Sequence, residues 1–192
     1  DLTGKNTMLI NDNKKMLVWQ PFKNYSTSLA NYLTSHRIFR QQRFVFAQGP
    51  VPCLDNDVLK PEYEPSLGHT NWLSKRATGY TKILPIRNPY SRAVSQWKHA
   101  LKYNNELSFD EWLLRHSKQL IKFPVSKVYR YDKLIKVENI EQELKDLSLF
   151  NNEYDFPHNN KSDDVDFELN EDHKKLIYFL HYSDFQAGGY SK

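Results

Sequence analysis

Lys23 sits in the turn Pro21-Phe22-Lys23-Asn24-Tyr25 and is followed by three consecutive hydroxyl residues, Ser26-Thr27-Ser28. This combination suits an anion. An ammonium supplies a point charge, and hydroxyls with backbone N–H groups at a helix start can wrap a phosphate that the helix dipole also favours. Ordinary capping of a helix needs only one of the three hydroxyls. The turn contains no glycine, so it is not the G-x-x-x-x-G-K-[ST] loop of ATP enzymes. No acidic strand end is evident to hold magnesium for phosphoryl transfer, which disfavours a kinase.

A second polar cluster is Arg87-Asn88-Pro89-Tyr90-Ser91-Arg92-Ala93-Val94-Ser95. Arg87 falls at the end of an apolar run, and Ser95 follows on roughly the same side by the 3.6-residue period. A guanidinium fork with a hydroxyl suits a second phosphate. Standing alone, the segment would read better as surface ion pairs made by Arg87 and Arg92. Two such clusters in one chain favour a ligand with two separated phosphates.

The elements that must position these clusters follow from hydrophobic periodicity and punctuation. Met16 to Gln20 reads as a buried strand stopped by Pro21, and Ser26 to Ser35 as a helix carrying Leu29, Tyr32 and Leu33 on one face, with Ser26 or Thr27 as its cap. A second strand is expected at Arg43 to Gln48, followed by an exposed loop from Gly49 to Pro65. Thr81 to Arg87 reads as a strand, and Asn88-Pro89 opens a helix through Ala93, Val94, Trp97 and Leu101. Ser108 to His116 carries a capping box, with Glu111 three residues after Ser108. Lys127 to Tyr131 is expected as a further strand, Asn139 to Leu147 and Glu171 to Leu180 as helices, and Asn151 to Asp166 as loop. Strand and helix alternate, which predicts an α/β fold: one P-loop-like domain over residues 1–192, with a central, mainly parallel sheet flanked by helices.

Composition narrows the function classes. Of 192 residues, 39% are hydrophobic and 26% charged, with no low-complexity tract, so a folded unit is expected. The net charge of +4 is spread among 23 acidic residues, which disfavours nucleic acid and suits a small anionic ligand. A single cysteine, Cys53, excludes an internal disulfide framework. No apolar run approaches the ~20 residues of a membrane span, and a soluble, cytoplasmic protein is expected.

The two clusters resemble a known pair of motifs. P-x-K-x-x-S-T-S followed by I-R-N-P-x-x-R-x-x-S is similar to the nucleotide-binding motifs of sulfotransferases that use 3′-phosphoadenosine 5′-phosphosulfate (PAPS). The resemblance implies that Lys23, Asn24, Tyr25, Ser26, Thr27 and Ser28 hold the 5′-phosphosulfate, and that Arg87 with Ser95 holds the 3′-phosphate. Leu67-Gly68-His69 resembles the Gly-His pair of the uronyl and heparan 2-O-sulfotransferase branch, where the histidine is the proposed base. Val128 to Leu134 looks like that family's strand ending in an acidic residue and leucine. Phe156 to Ser162 resembles its Pro-His-x-Asn-Lys loop, and Tyr182 to Tyr190 its terminal Asp-Phe-x-x-x-x-Tyr. The core turn departs from the commoner Pro-Lys opening by one position of the lysine.

The resemblance implies transfer of a sulfuryl group to an acceptor hydroxyl, on a glycan or a small molecule, without a metal. Lys23 then faces the leaving and transferring oxygens, and His69, with an ordinary pKa of about 6.5, is the candidate base. Glu62, Glu64 and His36 are the alternatives. His158 and Lys161 shape the nucleotide or acceptor side, while His99, His116, His173 and His181 fall in expected helices and are not assigned to chemistry. Trp97 and Trp112 are expected in the core. Trp72 reads better as packing than as part of the acceptor pocket. A catalytically silent nucleotide-binding module and a P-loop-like kinase are the competing readings.

Overall fold

The computed structural model describes residues 7–21, 26–35, 40–43, 79–122, 124–128, 131–150, 156 and 167–192. Two apolar runs, Thr7–Asn11 (β1) and Met16–Gln20 (β2), pair antiparallel across the polar stretch Asp12-Asn13-Lys14-Lys15. The Lys14 N–H donates to Asn11 Oδ1 at 2.8 Å, and Lys15 turns the chain with φ at 51°. β1 adds a strand to those expected from the sequence. Arg40–Arg43 (β3) pairs antiparallel with the other edge of β1. Thr81–Ile86 (β4) pairs parallel with β2, and Lys133–Lys136 (β5) parallel with β4.

The sheet order is therefore β3-β1-β2-β4-β5. Because β1 opposes both β2 and β3, the other four strands run the same way, giving the expected α/β fold with a mainly parallel sheet. The helices are Ser26–Ser35 (α1), Pro89–Leu101 (α2), Phe109–Lys122 (α3), Val125–Val128 (α4), Ile140–Asp146 (α5), Glu171–Leu180 (α6) and Tyr182–Gly188 (α7). A 3-10 turn, Val137–Asn139, joins β5 to α5.

Strand alternation builds the core. Leu9, Val18, Ile83 and Ile135 project to one side, where they meet Leu29 and Leu33 of α1 and Ile140 and Leu144 of α5. A second cluster gathers Ala93 and Trp97 of α2, Phe109 and Trp112 of α3, Ile177 of α6 and Phe185 of α7. Full burial of each leucine, isoleucine, valine or phenylalanine among them contributes about 1.5–3 kcal/mol. Trp97 and Trp112 are buried as expected, and the Trp97 indole donates to Leu107 O at 2.8 Å. Trp72 lies outside the described residues.

One expected strand is displaced. Of the strand read at Arg43 to Gln48, only Arg43 is described, and it closes β3; residues 44–48 lie outside the described ones. The strand read at Lys127 to Tyr131 is corrected: Val125–Val128 is helical, and the strand follows at Lys133–Lys136, after Asp132 instead of before it. The physical reason is a cap from far along the chain. Asp184 accepts the N–H groups of Val125 and Ser126 at 3.1 and 2.8 Å, satisfying the start of α4, which local β propensity could not foresee. At Ser108 local reading suffices, since Ser108 and Glu111 exchange the two bonds of a capping box.

Candidate functional site

Three neighbouring strands deliver their carboxyl ends to one edge of the sheet. The parallel register sets Val18 beside Ile83 and Ile86 beside Lys136, so Pro21, Arg87 and Val137 each leave the sheet at that edge. From β2 the chain crosses through α1 toward β3 on one side, whereas from β4 it proceeds to β5 on the other. The β2–β4 boundary is thus a topological switch point, where crossovers diverge.

At the end of β4, Arg87 lies between Ile86, fully buried, and Asn88, whose side chain accepts the Tyr90 N–H at 2.9 Å to cap α2. Pro89 occupies the first turn, where no N–H is needed. Arg87 Nε donates to Ser91 Oγ at 3.0 Å, and that hydroxyl donates to Asn88 O at 3.1 Å. Arg87 and Ser91 line an open cavity of about 820 Å³ completed by residues 137–142 and Lys145. Its charged groups are Arg87 and Lys145 on the cationic side and Glu138 and Glu141 on the acidic side. Glu138 is already engaged: Oε1 accepts the Asn88 N–H at 2.7 Å, and Oε2 accepts the Tyr190 hydroxyl at 2.8 Å.

Arg92, five positions after Arg87 and on α2, serves a different purpose. The alternative of a surface ion pair does not hold for it, because its side chain is 2% exposed. NH2 donates to Asp184 Oδ2 at 2.6 Å and lies 2.8 Å from His181 Nδ1. A guanidinium can only donate, so Nδ1 accepts and the His181 proton resides on Nε2. Ser126 Oγ donates to Asp184 Oδ1 at 2.6 Å. Burial works against the Asp184 anion, but the Arg92 charge and the Ser126 donors outweigh it and hold the carboxyl well below the usual range. Burial, reinforced by Arg92 and opposed by Asp184, pushes the His181 imidazole below its ordinary value.

The expected site residues divide as follows. Arg87 is at the strand end and in the cavity, and Ser91 is its partner there. Ser95 is half-buried on α2 and does not contribute to that lining. Ser28 is 2% exposed at the start of α1. Ser26 and Thr27 begin the same helix. Lys23, Asn24, Tyr25, His36, Glu62, Glu64, His69, His158 and Lys161 lie outside the described residues. Of the other histidines, His173 caps α6 through Asn170 and lies 2.7 Å from Asp110, and His181 is buried as above.

Sequence reasoning missed Ser91, Glu138, Lys145 and Tyr190 as neighbours of Arg87. The only local signal was Ser91 four residues after Arg87. Glu138 and Lys145 arrive through the β5 register and Tyr190 through the fold of the C-terminal helices, so spacing held no clue. No helix among the described residues is long and apolar enough to cross a membrane.

A family model described as "Sulfotransferase family" matches residues 6–190. No curated protein and no solved structure matches the chain.

Proposed function

Because the chain belongs to the sulfotransferase family, we propose that it transfers a sulfuryl group from PAPS to an acceptor hydroxyl, on a carbohydrate. The observation that carries this reading is that β2, ending before Pro21, and β4, ending before Arg87, lie side by side and parallel at the switch point of the sheet. Two phosphate-binding turns on adjacent parallel strands suit a nucleotide with phosphates at both ends of its ribose. The cavity residues fit such a ligand, since Arg87 is oriented by Ser91 and Lys145 adds a second cation.

When bound, PAPS supplies an activated sulfuryl group and leaves as adenosine 3′,5′-bisphosphate. The residues of this chain bind and orient. Arg87, with Ser95, takes the 3′-phosphate, and Asn24, Tyr25, Ser26, Thr27 and Ser28 take the 5′ side. Lys23 neutralises charge at the leaving oxygen, where a cation is most effective. His69 removes the acceptor proton, and Lys161 contributes to the nucleotide side. No metal is needed in this scheme.

The decisive measurement pairs calorimetry with product analysis. Adenosine 3′,5′-bisphosphate should bind more tightly than adenosine 5′-monophosphate, and PAPS with a glycan panel should yield a sulfated product. Tight bisphosphate binding with no sulfated product from any acceptor would instead mark a silent nucleotide-binding module. Magnesium-dependent ATP affinity without bisphosphate preference would point to a kinase.

A further inference from the structure

Resting on that nucleotide reading, we infer that Tyr190 and Glu138 are positioning residues for Arg87, fastening the peptide units on both sides of it. Arg87 follows the last residue of β4 and precedes the cap of α2, and each neighbour is tied to the same pair of side chains. The Asn88 N–H donates to Glu138 Oε1 at 2.7 Å. The Tyr190 hydroxyl lies 2.8 Å from Glu138 Oε2 and 3.2 Å from Ile86 O. A phenol has one proton for these two acceptors, so the shorter bond to the charged oxygen dominates and the carbonyl receives a weaker share.

The surroundings keep that hydroxyl in place. Burial, with the Glu138 carboxylate adding to it, drives the Tyr190 phenol far above its ordinary pKa, so it remains a donor at any working pH. Lys136 Nζ sits 5.2 Å from the centre of the Tyr190 ring. The ring folds back over Gly188, where a Cβ would collide with it, and Gly189 reverses the chain with φ at 59°. The two glycines therefore deliver Tyr190 to the end of β4.

Neither residue needs to touch a ligand for this role. A guanidinium recognises a phosphate through directed N–H bonds, and its aim depends on the backbone that carries it. The Ser91 bond orients the side chain of Arg87, while Glu138 and Tyr190 orient its main chain. Loss of the clamp should weaken recognition of the 3′-phosphate and leave the rest of the nucleotide contacts intact.

The test is calorimetric binding of adenosine 3′,5′-bisphosphate and adenosine 5′-monophosphate to the wild type and Tyr190→Phe. The substitution keeps the ring and removes only the shared donor, and thermal melting of the same samples reports folding. Tyr190→Phe should bind the bisphosphate about fivefold to tenfold more weakly, the scale of one ordinary hydrogen bond, with monophosphate affinity within about twofold. In turnover, KM for the donor should rise with kcat retained. A wild-type preference for the bisphosphate that the folded variant retains in full would overturn the role of the clamp alone. If the wild type shows no preference, the nucleotide reading falls and the clamp with it.

Discussion

Arg92 NH2 and Asp184 Oδ2 meet at 2.6 Å with side chains 2% and 0% exposed, although 92 positions separate them in the chain. The pair binds the helix after β4 to the C-terminal helix, and through Ser126 it also holds the start of α4. The helix that follows Arg87 is thereby anchored at its inner face.

Removing one member of this pair should cost the protein about 3–5 kcal/mol, because the other charge would remain buried without its partner. Arg92→Ala and Asp184→Ala should both show this loss in urea or guanidinium unfolding. Arg87→Ala, on a half-buried residue at the cavity, should be nearly neutral in the same assay. Equal losses from Arg87→Ala and Arg92→Ala would contradict the division of labour between them.

Acid should destabilise the fold in two stages. His181 has a lowered native pKa, so the unfolded chain takes up its proton first. Its contribution is present above about pH 6.5 and lost as pH falls below that value. Asp184 has a depressed native pKa, so its contribution is present above about pH 3.9 and lost below it. Unfolding free energies from pH 8 to pH 3 should decline in both windows. His181→Gln should flatten the upper decline while leaving the lower one.

Arg87→Ala should weaken adenosine 3′,5′-bisphosphate binding by about tenfold to a hundredfold, the range for hydrogen bonds to a charged group. Ser91→Ala should produce a smaller loss of the same kind, since it removes only the bond that orients Arg87 Nε. Ser95→Ala separates the sequence expectation from the observed cavity. A bisphosphate affinity unchanged by Ser95→Ala, with a clear loss in Ser91→Ala, would assign the hydroxyl contribution to Ser91.

Lys23→Ala should depress turnover strongly. His69→Ala should cut kcat by about a hundredfold to ten-thousandfold, as expected for loss of a general base, with bisphosphate binding nearly intact. Single-turnover rates with saturating PAPS and a sulfated glycan product would measure both. A wild-type rate in His69→Ala would move the base to Glu62, Glu64 or His36.

The parts legible in the sequence are those whose physics is local. Leu29, Tyr32 and Leu33 at helical spacing define α1, and Ser108 with Glu111 marks the start of α3. The run Thr81–Ile86 announces β4, and Asn88-Pro89 announces α2. Of the site, only Arg87 and its setting at a strand end could be read this way. β1 was obscured because its five residues carry a polar residue at each end, and only pairing with β2 and β3 gives it a role. Lys127 and Val128 read as the start of a strand but belong to α4, because its cap comes from Asp184, 58 positions beyond Ser126. Glu138 and Tyr190 reach Arg87 by tertiary placement alone, which composition and periodicity do not encode.

The cap that Asp184 provides also bears on the order of assembly. Contacts between distant positions close slowly, because the intervening chain must first surrender its freedom. Until Asp184 docks, Arg92 is a cation without its counter-charge and the first N–H groups of α4 have no acceptor from it. The pairing of Met16 with Thr81 in the sheet is a closure of the same kind, so the anchoring of α2 by the last helix is one of several long-range contacts that the fold must make. In this chain the setting of the Arg87 turn is therefore tied to the docking of the final helix.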